Sequence, residues 1–215
     1  KWLGRQARFL HSPAATILLV LAGVVALLVS LYKPEALSSA ATTISMMLLG
    51  AALTIILFAF SYRGLALKAW LYLLIAHLFI IASIGTMAAH INTIEIIFYA
   101  SGVTVAFALG LYCLNKIKAI DNDISLNNYH GYVYEEKYTA LLFLLSAIGM
   151  LGFPITAAFI GIDVLFTYVG DNQVIPIALL ALCFIFIELA AIRIYLRVFL
   201  GQHKKLNHPV AFRSS

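Results

Sequence analysis

Among the ionisable side chains within the long apolar runs of this sequence, His77, Asp163 and Glu188 are the ones placed to carry chemistry. A charge at the centre of a bilayer costs on the order of 3 kcal/mol on insertion scales, so an intramembrane carboxylate or imidazole marks an ion route or is held neutral by a neighbour. Glu188 falls near the middle of the run from Val174 to Leu200, and His77 near the middle of the run from Leu65 to Ala89. Burial and neighbouring groups tune carboxyl and imidazole side chains into the range a proton relay uses. The same positions suit a protonated glutamate bonded to another helix and a packing histidine. Asp163 is placed either at the end of a half-channel or at the outer interface.

The element that would position these groups is Gly152-Phe153-Pro154-Ile155-Thr156, inside the apolar run from Lys137 to Val169. A proline there removes a backbone donor and pushes away the carbonyl of Met150, while Gly149 and Gly152 loosen the preceding turn. The expectation is a transmembrane helix broken at Gly152 to Pro154, with the Met150 carbonyl freed for water or for the Thr156 hydroxyl. In lipid such a break persists only if protein buries it or it lines a polar cavity, and discontinuous helices mark ion and substrate sites in transporters. The alternative is a proline kink that shapes packing alone.

With 63% hydrophobic and 11% charged residues among 215, and a mean hydropathy of +1.00, the chain is read as a polytopic membrane protein. Six apolar segments are long enough to span: Pro13 to Tyr32, Ala36 to Tyr62, Leu65 to Ala89, Ile94 to Leu114, Tyr138 to Val169 and Val174 to Leu200. Runs of this length exclude barrel strands, so the expected fold is all-α. Residues 1–12 form a basic, aromatic interfacial segment, 13–201 the bundle and 202–215 a tail. The start at Lys1 suggests a piece of a longer chain. Of the 14 Lys and Arg residues, all but Lys33 fall on one side of this topology. The positive-inside rule then puts both ends in the cytoplasm, which accounts for the net charge without invoking nucleic acid.

The polar stretch from Asn115 to Glu136 reads as a solvated linker more readily than as a docking loop. Gly102, Ala106 and Gly110 are four apart on one helix face, where another helix can approach closely. Cys113 and Cys183 lie in apolar runs and imply neither a disulfide nor a metal framework. There is no phosphate loop, dinucleotide fingerprint or nucleophile elbow, so no cofactor is expected and no enzymatic site is read in this chain.

The stretch from Gly152 to Asp163, GFPITAAFIGID, resembles the broken-helix motif of the antiporter-like proton-conducting membrane subunits. These are shared by respiratory complex I, membrane-bound hydrogenases, multisubunit cation/proton antiporters and the membrane partner of a bacterial inorganic-carbon uptake system. The ending Ile192 to Gly201, IRIYLRVFLG, is similar to the helix that follows in that family. Leu67-Lys68 and Ile75-Ala76-His77 are similar to its D-L-K-R and I-S-H segment, and Lys33 to Leu37 to a short loop before it. The resemblance implies that residues 36–201 form one five-helix inverted repeat, that Lys68 joins His77, Asp163 and Glu188 on a proton path, and that the chain works with other membrane subunits, in a bacterial inner membrane. Where the family carries a lysine in the broken helix this sequence has Ile162, and Tyr99 to Leu109 carries no counterpart of the family's H-x-x-x-K pattern. Two functions follow as expectations: a proton- or cation-translocating subunit with its path rerouted through Asp163, Glu188 and His77, or a structural subunit that anchors a partner.

Overall fold

The computed structural model of the chain describes residues 12–32, 40–87, 93–153, 156, 158–159, 162–163 and 174–201. Six α-helices run through them: α1 (Pro13–Tyr32), α2 (Ala41–Ser61), α3 (Ala66–Met87), α4 (Thr93–Asp121), α5 (Lys137–Met150) and α6 (Val174–Val198), with a short 3-10 turn at Tyr132–Tyr134. Among the described residues there is no strand beyond an isolated bridge between Leu65 and Ser125. All but α5 are long and apolar enough to cross a membrane, giving five candidate spans where six were expected. The fifth expected span is described as a helix of only 14 residues, and much of the segment beyond it, like residues 1–11 and 202–215, lies outside the described residues.

Local sequence sets the helix starts. Ser12 caps α1, its hydroxyl accepting the Ala15 amide at 3.1 Å, and Pro13 occupies the first helical position, where its missing N–H costs nothing. The central helix is α3: 72% of its spanning window is buried, against 22% to 39% in the other four spanning helices. It packs against α1, α2, α4 and α6, while α6 also leans on α2 and α5 on α4. Trp70, Tyr72, Leu73, Ile75, Ile80 and Ile81 of α3 are fully enclosed at this centre.

Small residues bring α4 and α5 together as expected of the Ala106 and Gly110 face. The Ser146 hydroxyl donates to the Ala106 carbonyl at 2.7 Å, and a Cβ on Gly110 would stand only 2.5 Å from both Ser146 Oγ and the Trp70 ring.

The stretch from Asn115 to Glu136 is not a solvated linker. Its first part continues α4 to Asp121, and the rest folds back on one end of the bundle. Ala66 donates its amide to the Ile124 carbonyl and Leu126 its amide to the Gly64 carbonyl, while the His130 and Val133 amides reach the Arg197 and Phe199 carbonyls. Ile124, Leu126 and Tyr132 are buried. These three apolar residues, scattered among acids and asparagines, hold the segment down.

Candidate functional site

His77 is fully buried on α3. Its Nδ1 lies 2.7 Å from the hydroxyl of Tyr99 on α4, and Tyr99 is fully buried as well. The two rings meet edge to face with centroids 5.8 Å apart. The α6 residue that faces the imidazole is Phe184, at 6.4 Å between ring centroids. His77 Nε2 is buried without a hydrogen-bond partner among the described residues. A buried polar nitrogen left in this way is uncommon and points to a water or a proton acceptor.

Lys68 lies at the start of α3 and faces another way. Nine residues separate it from His77, which is roughly 180° round an ideal helix. Its ammonium is 5.9 Å from the ring centres of both Tyr62 and Tyr72, a cation–π arrangement. The Tyr72 hydroxyl is 3.2 Å from Thr16 Oγ1 on α1. Lys68, Thr16, Leu71, Phe107 and Asn115 line an open cleft of about 580 Å³ between α1, α3 and α4. Lys68 and His77 therefore belong to opposite sides of α3.

At the predicted break, α5 ends at Met150. Gly152 has φ of 66°, and the Phe153 amide reaches the Ile148 carbonyl at 3.3 Å while the Gly152 amide reaches the Gly149 carbonyl at 3.3 Å. This is a Schellman termination, in which a glycine in the left-handed region returns the last amides to orphan helix carbonyls. Two of the carbonyls at this end are thus already bonded. The Thr156 hydroxyl donates to the Phe153 carbonyl at 2.8 Å rather than to that of Met150. Ala158, Phe159, Ile162 and Asp163 again have helical backbone. A side chain at Gly152 would collide with Ile162, so the isoleucine lies directly over the helix end. Asp163 beside it is exposed, and Pro154 lies outside the described residues.

Glu188 sits on the outward side of α6. Cys183, Ile187, Ala190, Ala191 and Ile194 form the buried face, with the Cys183 thiol donating to the Leu49 carbonyl of α2 at 3.8 Å. Glu188 is exposed and makes no ion pair among the described residues. Its neighbours Ile187 and Ala190 hold the inward side, and most of the segment between the α5 terminus and α6 lies outside the described residues. Arg193 places its guanidinium 5.7 Å from the centre of the Phe60 ring with Nη1 buried. Arg197 reaches the Asn127 carbonyl at 3.3 Å and stacks on Tyr129 at 4.2 Å, so it pins the folded-back loop.

Among the four predicted ionisable groups, no two are brought into contact. The polar partners that do meet, Tyr99 with His77 and Thr16 with Tyr72, were missed in the sequence. Their only signal there is a hydroxyl tip in an apolar run. No group of three or more His, Cys, Asp or Glu side chains suited to a metal occurs among the described residues. No family model matches the sequence, and no curated protein is significantly similar to it.

Proposed function

We propose that the chain is an antiporter-like membrane subunit that anchors a partner within a larger complex and does not itself carry protons through Asp163, Glu188 and His77. In this reading it has six spans, the fifth in two halves around Pro154, with both ends in the cytoplasm of a bacterial inner membrane. The observation that carries the reading is the packing of Ile162 over Gly152 at the end of α5. An apolar side chain covers the helix terminus at the position where the resembled family has its lysine, and two of the terminal carbonyls are already bonded. A relay through this half would also have to connect Lys68 and His77 across α3 and recruit Glu188 from the outer face of α6.

One observation favours the conducting alternative: the buried Nε2 of His77, which has no partner among the described residues. A water there would give the imidazole a second proton contact beside Tyr99. The two readings separate in complexes compared at equal assembly, where Glu188→Gln and His77→Gln leave coupled proton movement per complex intact if the subunit anchors, and abolish it if the route runs through them.

A further inference from the structure

The outer faces of the bundle are apolar, and that of α6 alone carries a charge at mid-helix among the described residues. The exposed faces of α1, with Ile17, Leu18 and Leu21, and of α4, with Ile97, Phe98 and Val105, hold no acidic or basic residue at comparable depth. Such faces suit lipid chains. On α6, Leu182, Ile185, Leu189, Ile192 and Leu196 are 40% to 51% exposed and recur at alternating spacings of three and four. That spacing is the seam of a helix pair crossing at a shallow angle, and Glu188 occupies the flanking position from which charged residues pair with a partner helix.

Glu188 cannot reach water along its own helix. It stands 14 residues from Val174 and 10 from Val198, or roughly 21 Å and 15 Å at the helical rise. Nor does it have an ion-pair partner among the described residues. Arg193, roughly 140° further round α6, lies against Phe60, and Phe184 is the α6 side chain that faces His77. A carboxylate left in lipid at that depth is costly, and a cationic side chain from outside removes the cost.

We propose that the Leu182 to Leu196 face of α6 seats a transmembrane helix of another membrane protein, and that this helix presents a lysine or arginine at the depth of Glu188. The proposal rests on the anchoring reading and names the surface and chemistry through which anchoring occurs. The occupant is not a second copy of this chain, which would bring only another glutamate to the centre of a symmetric α6 pair.

The test is photo-crosslinking in native membranes from the full chain, with a photoreactive amino acid placed singly at Ile185, Leu189 or Ile192, and at Val105 of α4 for comparison. The expected result is one protein adduct from α6 that maps to an apolar segment containing a lysine or arginine. Glu188→Leu and Glu188→Lys should each lose the adduct, and changing the mapped basic residue to glutamate should restore it in the Glu188→Lys background. Glu188 is exposed, so unaltered thermal melting of the variants confirms that loss of the adduct is loss of docking. Lipid adducts alone from α6, an adduct to a second copy, or a protein adduct indifferent to Glu188→Leu would overturn the proposal. A protein adduct from Val105 with lipid alone from α6 would overturn the location and leave anchoring standing, whereas lipid alone from every position would overturn both.

Discussion

Alanine at Gly110 and alanine at Gly50 should move stability in opposite directions, although both glycines are inside transmembrane helices. At Gly110 a new methyl would stand 2.5 Å from Ser146 Oγ and from Trp70 Cζ2. The indole has nowhere to go, because Trp70 is fully buried, its N–H donates to the Phe107 carbonyl at 3.0 Å, and its ring lies 5.0 Å from that of Phe143. Overpacking of this kind costs about 2 kcal/mol. Rotating the Ser146 hydroxyl aside sacrifices its bond to Ala106, about 1 kcal/mol more. Replacing a helical glycine by alanine returns about 1 kcal/mol through backbone entropy. The net loss for Gly110→Ala is about 2 kcal/mol. At Gly50 nothing lies within 4 Å of the new methyl, so Gly50→Ala keeps the gain of about 1 kcal/mol alone. Unfolding of the purified protein in detergent, followed by circular dichroism, reads both. If Gly110→Ala were as stabilising as Gly50→Ala, the close approach of α4 to α5 and the placement of Trp70 would both be wrong.

Tyr99→Phe removes the only hydrogen bond of His77 among the described residues and leaves both imidazole nitrogens buried and unpaired, so it should cost about 1–3 kcal/mol in the same assay, while His77→Phe in the Tyr99→Phe background recovers part of it. The Lys116 ammonium, 2.7 Å from Glu136, with help from the Thr139 hydroxyl, holds the Glu136 carboxyl below its ordinary range. A depressed carboxyl stabilises the fold above its unfolded pKa and loses that contribution as pH falls through the folded value. Melting temperature should therefore drop on acidification through and below the ordinary carboxylate range, and Lys116→Met should flatten that drop. A single cysteine at Asn122, exposed at the end of α4, should escape an impermeant thiol reagent applied outside cells and react once the membrane is permeabilised.

The helical class and the approximate limits of five helices were legible because an apolar run longer than a bilayer admits few alternatives. The close face of α4 was legible too, since small residues four apart fall on one side of any helix. The loop between α4 and α5 was not. Its charges advertise a solvated segment, and the residues that dock it, Ile124, Leu126 and Tyr132, are single apolar positions without a period. The orientation of Glu188 was hidden for a different reason. Apolar residues occur on every side of α6, so its sequence does not say which face meets α2 and α3; the burial of Cys183 and Ile187 decides that. The helix end at Gly152 was foreseeable from the glycine and proline. Its Schellman bonds and the cover from Ile162 depend on how the chain returns after the turn.

The central claim is that this subunit anchors without relaying protons through its intramembrane acids. Its most direct test is coupled proton movement by the assembled complex carrying Glu188→Gln, which keeps the shape and hydrogen-bonding capacity of the side chain but cannot carry a proton. The anchoring account predicts a rate of ΔpH formation equal to that of the unmodified complex at equal assembly. Loss of coupled transport in a complex that still assembles would contradict it and place Glu188 on the proton route.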